Sequence, residues 1–190
     1  MSDKDVNYTI DVPHGPERFR ELLIYVSEKC ANDPQFGATM LNKIMFYADM
    51  RAYERLGMPL TGAAYFRLDR GPAPVQLRKV RRDLVEESAI EIVEVPAGNY
   101  TRHRTVPLRG ADVSLFTKGE LAIVDMVIAE LSGRTATDIS EESHQVAWHI
   151  LADRQYIPYE VAFLSNERAT PSDIADARSL NDKHGWGLRV

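Results

Sequence analysis

The 190 residues hold a single cysteine, Cys30, so neither an intrachain disulfide nor a metal site built on a cysteine cluster is open to this chain. Apolar runs are short, and none approaches the roughly 18 residues of a membrane span. The opening MSDKDVNYTIDVPHG has neither the basic start nor the apolar stretch of a signal peptide, which points to a soluble, cytoplasmic protein without a membrane partner. Positive charge is in deficit, with 23 Lys and Arg against 28 Asp and Glu and a net charge of -5. That balance disfavours a nucleic acid as partner and leaves only a local basic face as an argument for one. Catalytic groupings are missing as well. No glycine loop is shaped for phosphate, no serine sits in a nucleophile context, and Cys30 lies at a helix end without a base. His144 and His149 are five apart, not the four that would put both on one helical face, and no third ligand is evident. Neither a cofactor, a metal nor an enzymatic activity is expected.

What the chain does have is periodic apolar content, 44% of its residues, enough for one domain's core. Residues 1–16 lack a sustained pattern and read as an arm, with 7–12 able to lie extended against the body. From Glu17, Phe19, Leu22, Leu23 and Val26 recur at helical spacing, with Pro16 in the first turn. A longer helix is predicted over about 37–56, with Met40, Leu41, Ile44, Ala48 and Ala52 on one face and Gly57 as its C-cap. Residues 63–68 fit either an extended segment or a loop. Residues 69–74, Asp-Arg-Gly-Pro-Ala-Pro, read as a rigid turn from which Pro74 opens a short helix with Val75, Leu77, Val80 and Leu84 inward. A β-hairpin follows over 90–106, turning at Pro96-Ala97-Gly98-Asn99, and it needs helices or another strand beside it. Thr117-Lys118-Gly119-Glu120 is a capping box before a helix with Leu121, Val124, Ile128 and Leu131 inward. Short helices are predicted over 137–143 and 146–151, and a last one over 170–183; residues 156–164 fit a strand or an ordered loop. The fold class is α+β, a mainly helical single domain with a small hairpin or sheet packed on the helices.

Several of these pieces occur in a recognisable order. Residues 40–49, Met-Leu-Asn-Lys-Ile-Met-Phe-Tyr-Ala-Asp, are followed by Leu60-Thr61-Gly62, then Arg70-Gly71-Pro72, then Ser143-His144 and Trp148. The ordered set resembles the Panacea domain, the SocA-like antitoxin family, with Ile44-Met45-Phe46 where the family often has Leu-Leu-Tyr. The resemblance implies a domain over 17–166, flanked by the arm 1–16 and by a helix and tail over 167–190. It also implies a bacterial or prophage-associated, non-enzymatic antitoxin that neutralises a cognate protein toxin by direct binding, with an adaptor that hands its client to a host protease as a variant within the family.

Candidate partner-binding residues are Lys43, Tyr65, Arg67, Arg70, Arg78, Arg102 and Arg104. Lys43 would contact a toxin, pair with Asp49 or Asp69, or cover apolar surface with its stem while its ammonium reaches water. Arg78, Lys79, Arg81 and Arg82 form the densest basic run, partly cancelled by Asp83, Glu86 and Glu87. Tyr47, Gly71, Pro72, His144 and Trp148 read as structural motif positions. A DNA-binding regulator is the alternative, with a helix-turn-helix over 117–151 and the hairpin as a wing; a joint basic face of Arg78, Arg82, Arg102 and Arg104 would favour it. A homo-oligomer through the hairpin edge is compatible with the pattern.

Overall fold

The computed structural model describes residues 8–98, 100–135 and 152–163, with residues 175 and 179. The helix α1 (Gly15–Lys29) carries Pro16 in its first turn and buries Phe19, Leu22, Leu23 and Val26 completely. The central helix α2 (Ala38–Leu56) buries Met40, Leu41, Ile44, Met45, Ala48 and Ala52, and Gly57 closes it in left-handed backbone at φ 72°. So wide an apolar surface can be covered only by several neighbours, and α1, both sheets and a later helix all pack on it.

Between α2 and the next helix the structure departs from the expected turn. Tyr65–Leu68 forms β1 and Gly71–Pro74 forms β2, an antiparallel hairpin in register from Tyr65 opposite Pro74 to Leu68 opposite Gly71. Gly71 takes φ 120°, backbone that a side chain would oppose. Prolines 72 and 74 are tolerated because β2 is an edge strand, where missing N–H groups forfeit no pairing on the open side. The helix α3 (Leu77–Glu86) consequently begins three residues later than Pro74, and Val75 is 42% exposed instead of inward. Leu77 and Leu84 are buried as expected, and Val80 is half-buried.

A second hairpin, β3 (Ile90–Ala97) and β4 (Tyr100–Pro107), runs in register from Ile90 opposite Pro107 to Ala97 opposite Tyr100 and lies against α1, α2 and α3. The helices give this two-stranded unit the buried side it needs. The helix α4 (Lys118–Leu131) starts with the capping box: the Glu120 N–H donates to Thr117 Oγ1 at 3.2 Å, and the Thr117 N–H donates to the Glu120 carboxylate at 2.7 Å. Its buried face is Ile123, Val124, Val127 and Leu131, with Leu121 and Ile128 at the margins. The face is turned from the expected one because α4 packs on both α1 and α2.

The segment 156–163 is both strand and turn. Tyr156–Ile157 forms β5, paired with Tyr65 and Phe66 so that the sheet order is β2-β1-β5, and Tyr159–Phe163 is a 3-10 turn. The arm docks near its end, where the Ile10 N–H donates to Gly62 O at 3.2 Å and Val12 is buried. Gly62 has φ 69°, and a Cβ there would stand 1.9 Å from Ile10 O, so the docking needs glycine. The helices expected at 137–143 and 146–151, with His144 and Trp148, and the expected 170–183 helix apart from residues 175 and 179, lie outside the described residues. The architecture is mixed α+β, mostly helical, with small antiparallel sheets alongside.

Candidate functional site

Two of the signature segments, the helix motif and Leu60-Thr61-Gly62, meet at one carboxyl. Asp49, near the middle of α2 and wholly buried, accepts from the Thr61 N–H at 2.8 Å, from the Thr61 hydroxyl, from the Tyr65 phenol at 2.8 Å and from the Tyr159 phenol at 3.3 Å. The helix motif therefore ends at the residue that holds the Leu60-Thr61-Gly62 motif, and β1 and the 3-10 turn each add a tyrosine. Burial pushes the Asp49 carboxyl upward from its ordinary value, against the pull of those donors. The donor geometry accommodates a neutral carboxyl. The Tyr65 phenol also lies 3.0 Å from Met45 O, and the Tyr159 phenol 2.8 Å from Ala63 O, so both phenol protons have carbonyl acceptors and Asp49 can keep its own. Burial raises both phenols as well. This node joins three neighbouring segments to the distant Tyr159, and all four residues are buried.

Two of the proposed contact residues belong to that interior. Tyr65 is completely buried in the node. Lys43 is also fully buried, and the expected route of its ammonium to water is overturned: it sits on the face of α2 that the rest of the domain covers. Burial brings its pKa down to about 8, with the Arg134 charge adding to the effect. Neither residue offers a surface to a partner. Tyr47 is half-buried, edge-on to Phe46 with ring centroids 5.4 Å apart. Gly71 and Pro72 are buried in β2.

The hairpin arginines also act inward. Arg102 donates to Pro34 O and, at 2.9 Å, to Gln35 Oε1, and its stem packs where Gly37 lacks a Cβ. Arg104 donates to Ala31 O and, at 3.1 Å, to Cys30 O. Carbonyls between the end of α1 and the start of α2 take these donors from β4, Cys30 O in addition to the Asp33 N–H. These two side chains therefore fasten the hairpin to the helices, and they do not join Arg78 and Arg82 in a free basic face. Cys30, under Arg104, is buried, and burial pushes its thiol up to about 12, which leaves it unreactive at neutral pH.

Arg70 and Arg78 are exposed, and Arg67 is half-buried on β1. Arg70 stands at the tip of the β1–β2 hairpin, on the rim of a cleft of about 320 Å³ shared with Thr39 and Asn42 of α2 and with Asp153 and Arg154. The Arg154 N–H donates to Arg67 O at 2.8 Å and the Arg67 N–H to Gln155 O at 3.0 Å, which holds the second wall in place. Signs alternate around the rim: Asp69, Arg70, Asp153, Arg154. An open cleft with a mixed-charge rim, lined also by Leu68 and Pro72, suits a protein surface better than a small molecule. Among the described residues no group of three or more His, Cys, Asp or Glu is placed to hold a metal, and no helix is long and apolar enough to cross a membrane.

Sequence reasoning overlooked Arg18 and Tyr159. Arg18 stacks 4.5 Å from the Phe116 ring centre, donates to Leu60 O at 2.5 Å and pairs with Glu120 at 2.5 Å, tying α1 to the start of α4. No local signal marks a charge at position 18, beside Phe19, as a buried tie.

The family model described as Antitoxin SocA-like, Panacea domain matches residues 41–149, more than half of the chain. The match takes in most of α2, both hairpins, α3 and α4. No curated protein and no solved structure matches the chain.

Proposed function

Since this chain belongs to the SocA-like Panacea domain family, we propose that it is an antitoxin that neutralises a cognate protein toxin by direct, stoichiometric binding in the cytoplasm, without catalysing a reaction. The family match carries the reading. The burial of Asp49 and Thr61 from the signature motifs, and of Tyr65 beside them, supports it: they hold the scaffold together and are shut away from solvent, so recognition falls to the surface. The rim of the cleft at Arg70 and the outer side of α3 at Arg78 are the exposed candidates among the residues singled out above. Against the DNA-binding alternative, Arg102 and Arg104 are engaged with the carbonyls of the α1–α2 connection, which leaves the hairpin less charge to offer as a wing.

The test is growth rescue. The chain is co-expressed with the product of its neighbouring gene, whose expression alone must arrest growth. Recovery of growth, with the two proteins purifying together near equal stoichiometry, is the expected result. Continued arrest with abundant, folded chain would sink the reading, and recovery of a defined DNA fragment without protein would replace it with the regulator.

A further inference from the structure

The arginines among the described residues are mostly committed. Arg18 pairs with Glu120, Arg20 with Glu87, Arg51 with Glu130 and Arg109 with Glu21, while Arg102 and Arg104 cap carbonyls. The first half of α3 is different. Arg78 and Lys79 are exposed and make no hydrogen bond or ion pair among the described residues. Arg82 is 66% exposed, with only long contacts of 3.8 Å to Asp83 and 3.9 Å to Glu86.

Arg81 is the anomaly. It falls on the inward face of α3, four residues after Leu77 and three before Leu84, both buried. Its Nε and Nη2 are shielded from solvent and have no acceptor, and burial lowers the pKa of its guanidinium with no anion compensating. Shielding two donors of a cation without an acceptor is among the more costly arrangements a protein can keep. Nε and Nη2 form one edge of the guanidinium, and that edge is the one whose paired N–H groups match the two oxygens of a carboxylate. Nη1 is not shielded in this way, and a long arginine stem can swing the head outward.

We propose that the first half of α3 is a docking site for a carboxylate-rich segment of a protein partner, with Arg81 as the bidentate anchor and Arg78 and Lys79 at its rim. The site rests on the antitoxin reading insofar as it names the chemistry of the toxin surface engaged. Phosphate offers the same pair of oxygens, but a nucleic acid brings a continuous row of them. Asp83 and Glu86 follow on the same helix and would repel that row, as would a net charge of -5. A protein segment can place one Asp or Glu against Arg81 and apolar residues against the exposed Val75 and Val85 on either side.

Two experiments on the full chain test the site. In the first, the isotope-labelled protein is titrated with a short peptide of alternating Glu and Leu, with its Gln-for-Glu counterpart and with duplex DNA. The Glu peptide alone should move the α3 amide signals and the Arg81 Nε–H signal, and Arg81→Met should abolish the response. Silence at α3, an equal response to the Gln peptide, or a stronger response there to DNA overturns the proposal. Arg81→Met should also raise the urea midpoint, because it removes an unpaired buried charge; a lower midpoint means that the guanidinium has an acceptor within the chain, and this too overturns it. The second experiment measures affinity for the toxin identified by growth rescue. Arg78→Glu with Lys79→Glu should weaken it about tenfold, with the loss shrinking as salt rises, while Lys118→Glu on α4 leaves it unchanged. Rescue with undiminished affinity of the α3 variants removes the site and keeps the antitoxin; a Glu-specific response at α3 without rescue keeps the site and removes the antitoxin.

Discussion

Asp49 offers the sharpest quantitative test of the interior. Asp49→Asn is nearly isosteric and removes one titrating proton. Its carbonyl still accepts from the Thr61 N–H and its amide can face the two phenols, but it no longer accepts from the Thr61 hydroxyl. The loss is about 1 kcal/mol if the native carboxyl is neutral. Asp49→Ala orphans both Thr61 donors and leaves a void, for about 3–5 kcal/mol. The pH dependence is more telling than either value. Burial raises the folded carboxyl above its ordinary range, so the folded state holds a proton that the unfolded chain releases. The advantage of the wild type over Asp49→Asn is then complete below the ordinary carboxyl range. It declines as pH rises through the folded value, by up to about 1.4 kcal/mol per pH unit. Urea unfolding followed by circular dichroism, between about pH 4 and pH 8, measures the difference. An advantage that grows with pH would refute the neutral carboxyl, as would an Asn variant that falls as far as the Ala variant at neutral pH.

Three further outcomes are expected. Burial holds the Lys43 pKa near 8, below its unfolded value, so the unfolded state binds more protons between about pH 8 and 10; stability relative to Lys43→Met should rise across that window in urea titrations. Arg102→Ala with Arg104→Ala should lower stability by roughly 2–3 kcal/mol through the lost donors to the α1–α2 connection, and hydrogen exchange should loosen β3 and β4 first. Thr117→Ala should cost about 1 kcal/mol in the same unfolding assay, because it removes the side chain that accepts from the Glu120 N–H.

What was legible in the sequence was local. Apolar spacing located α1 and α2, the box at Thr117 located α4, and the strand-forming run around a Pro-Ala-Gly-Asn turn located the β3–β4 hairpin. The β1–β2 hairpin was misread because two prolines within four residues look like a turn in any linear reading. Only the position of β2 at a sheet edge makes them acceptable, and edge position is a property of the assembled sheet. The inward placement of Lys43, Arg102 and Arg104 was not legible for a related reason: charge marks a residue as exposed unless a distant segment covers or satisfies it.

The sequence by itself determined where α1, α2 and α4 lie, the class of fold and the family, because capping, periodicity and motif order act over a few residues at a time. The tertiary structure alone decided which polar residues are scaffold and which are surface. Asp49 finds Thr61, Tyr65 and Tyr159 across as many as 110 positions, and Arg104 finds carbonyls 73 and 74 positions away. Arg81 finds no acceptor at all among the described residues. Whether a polar group has a partner depends on what the fold brings within three ångströms of it, and no local pattern in the chain encodes that distance.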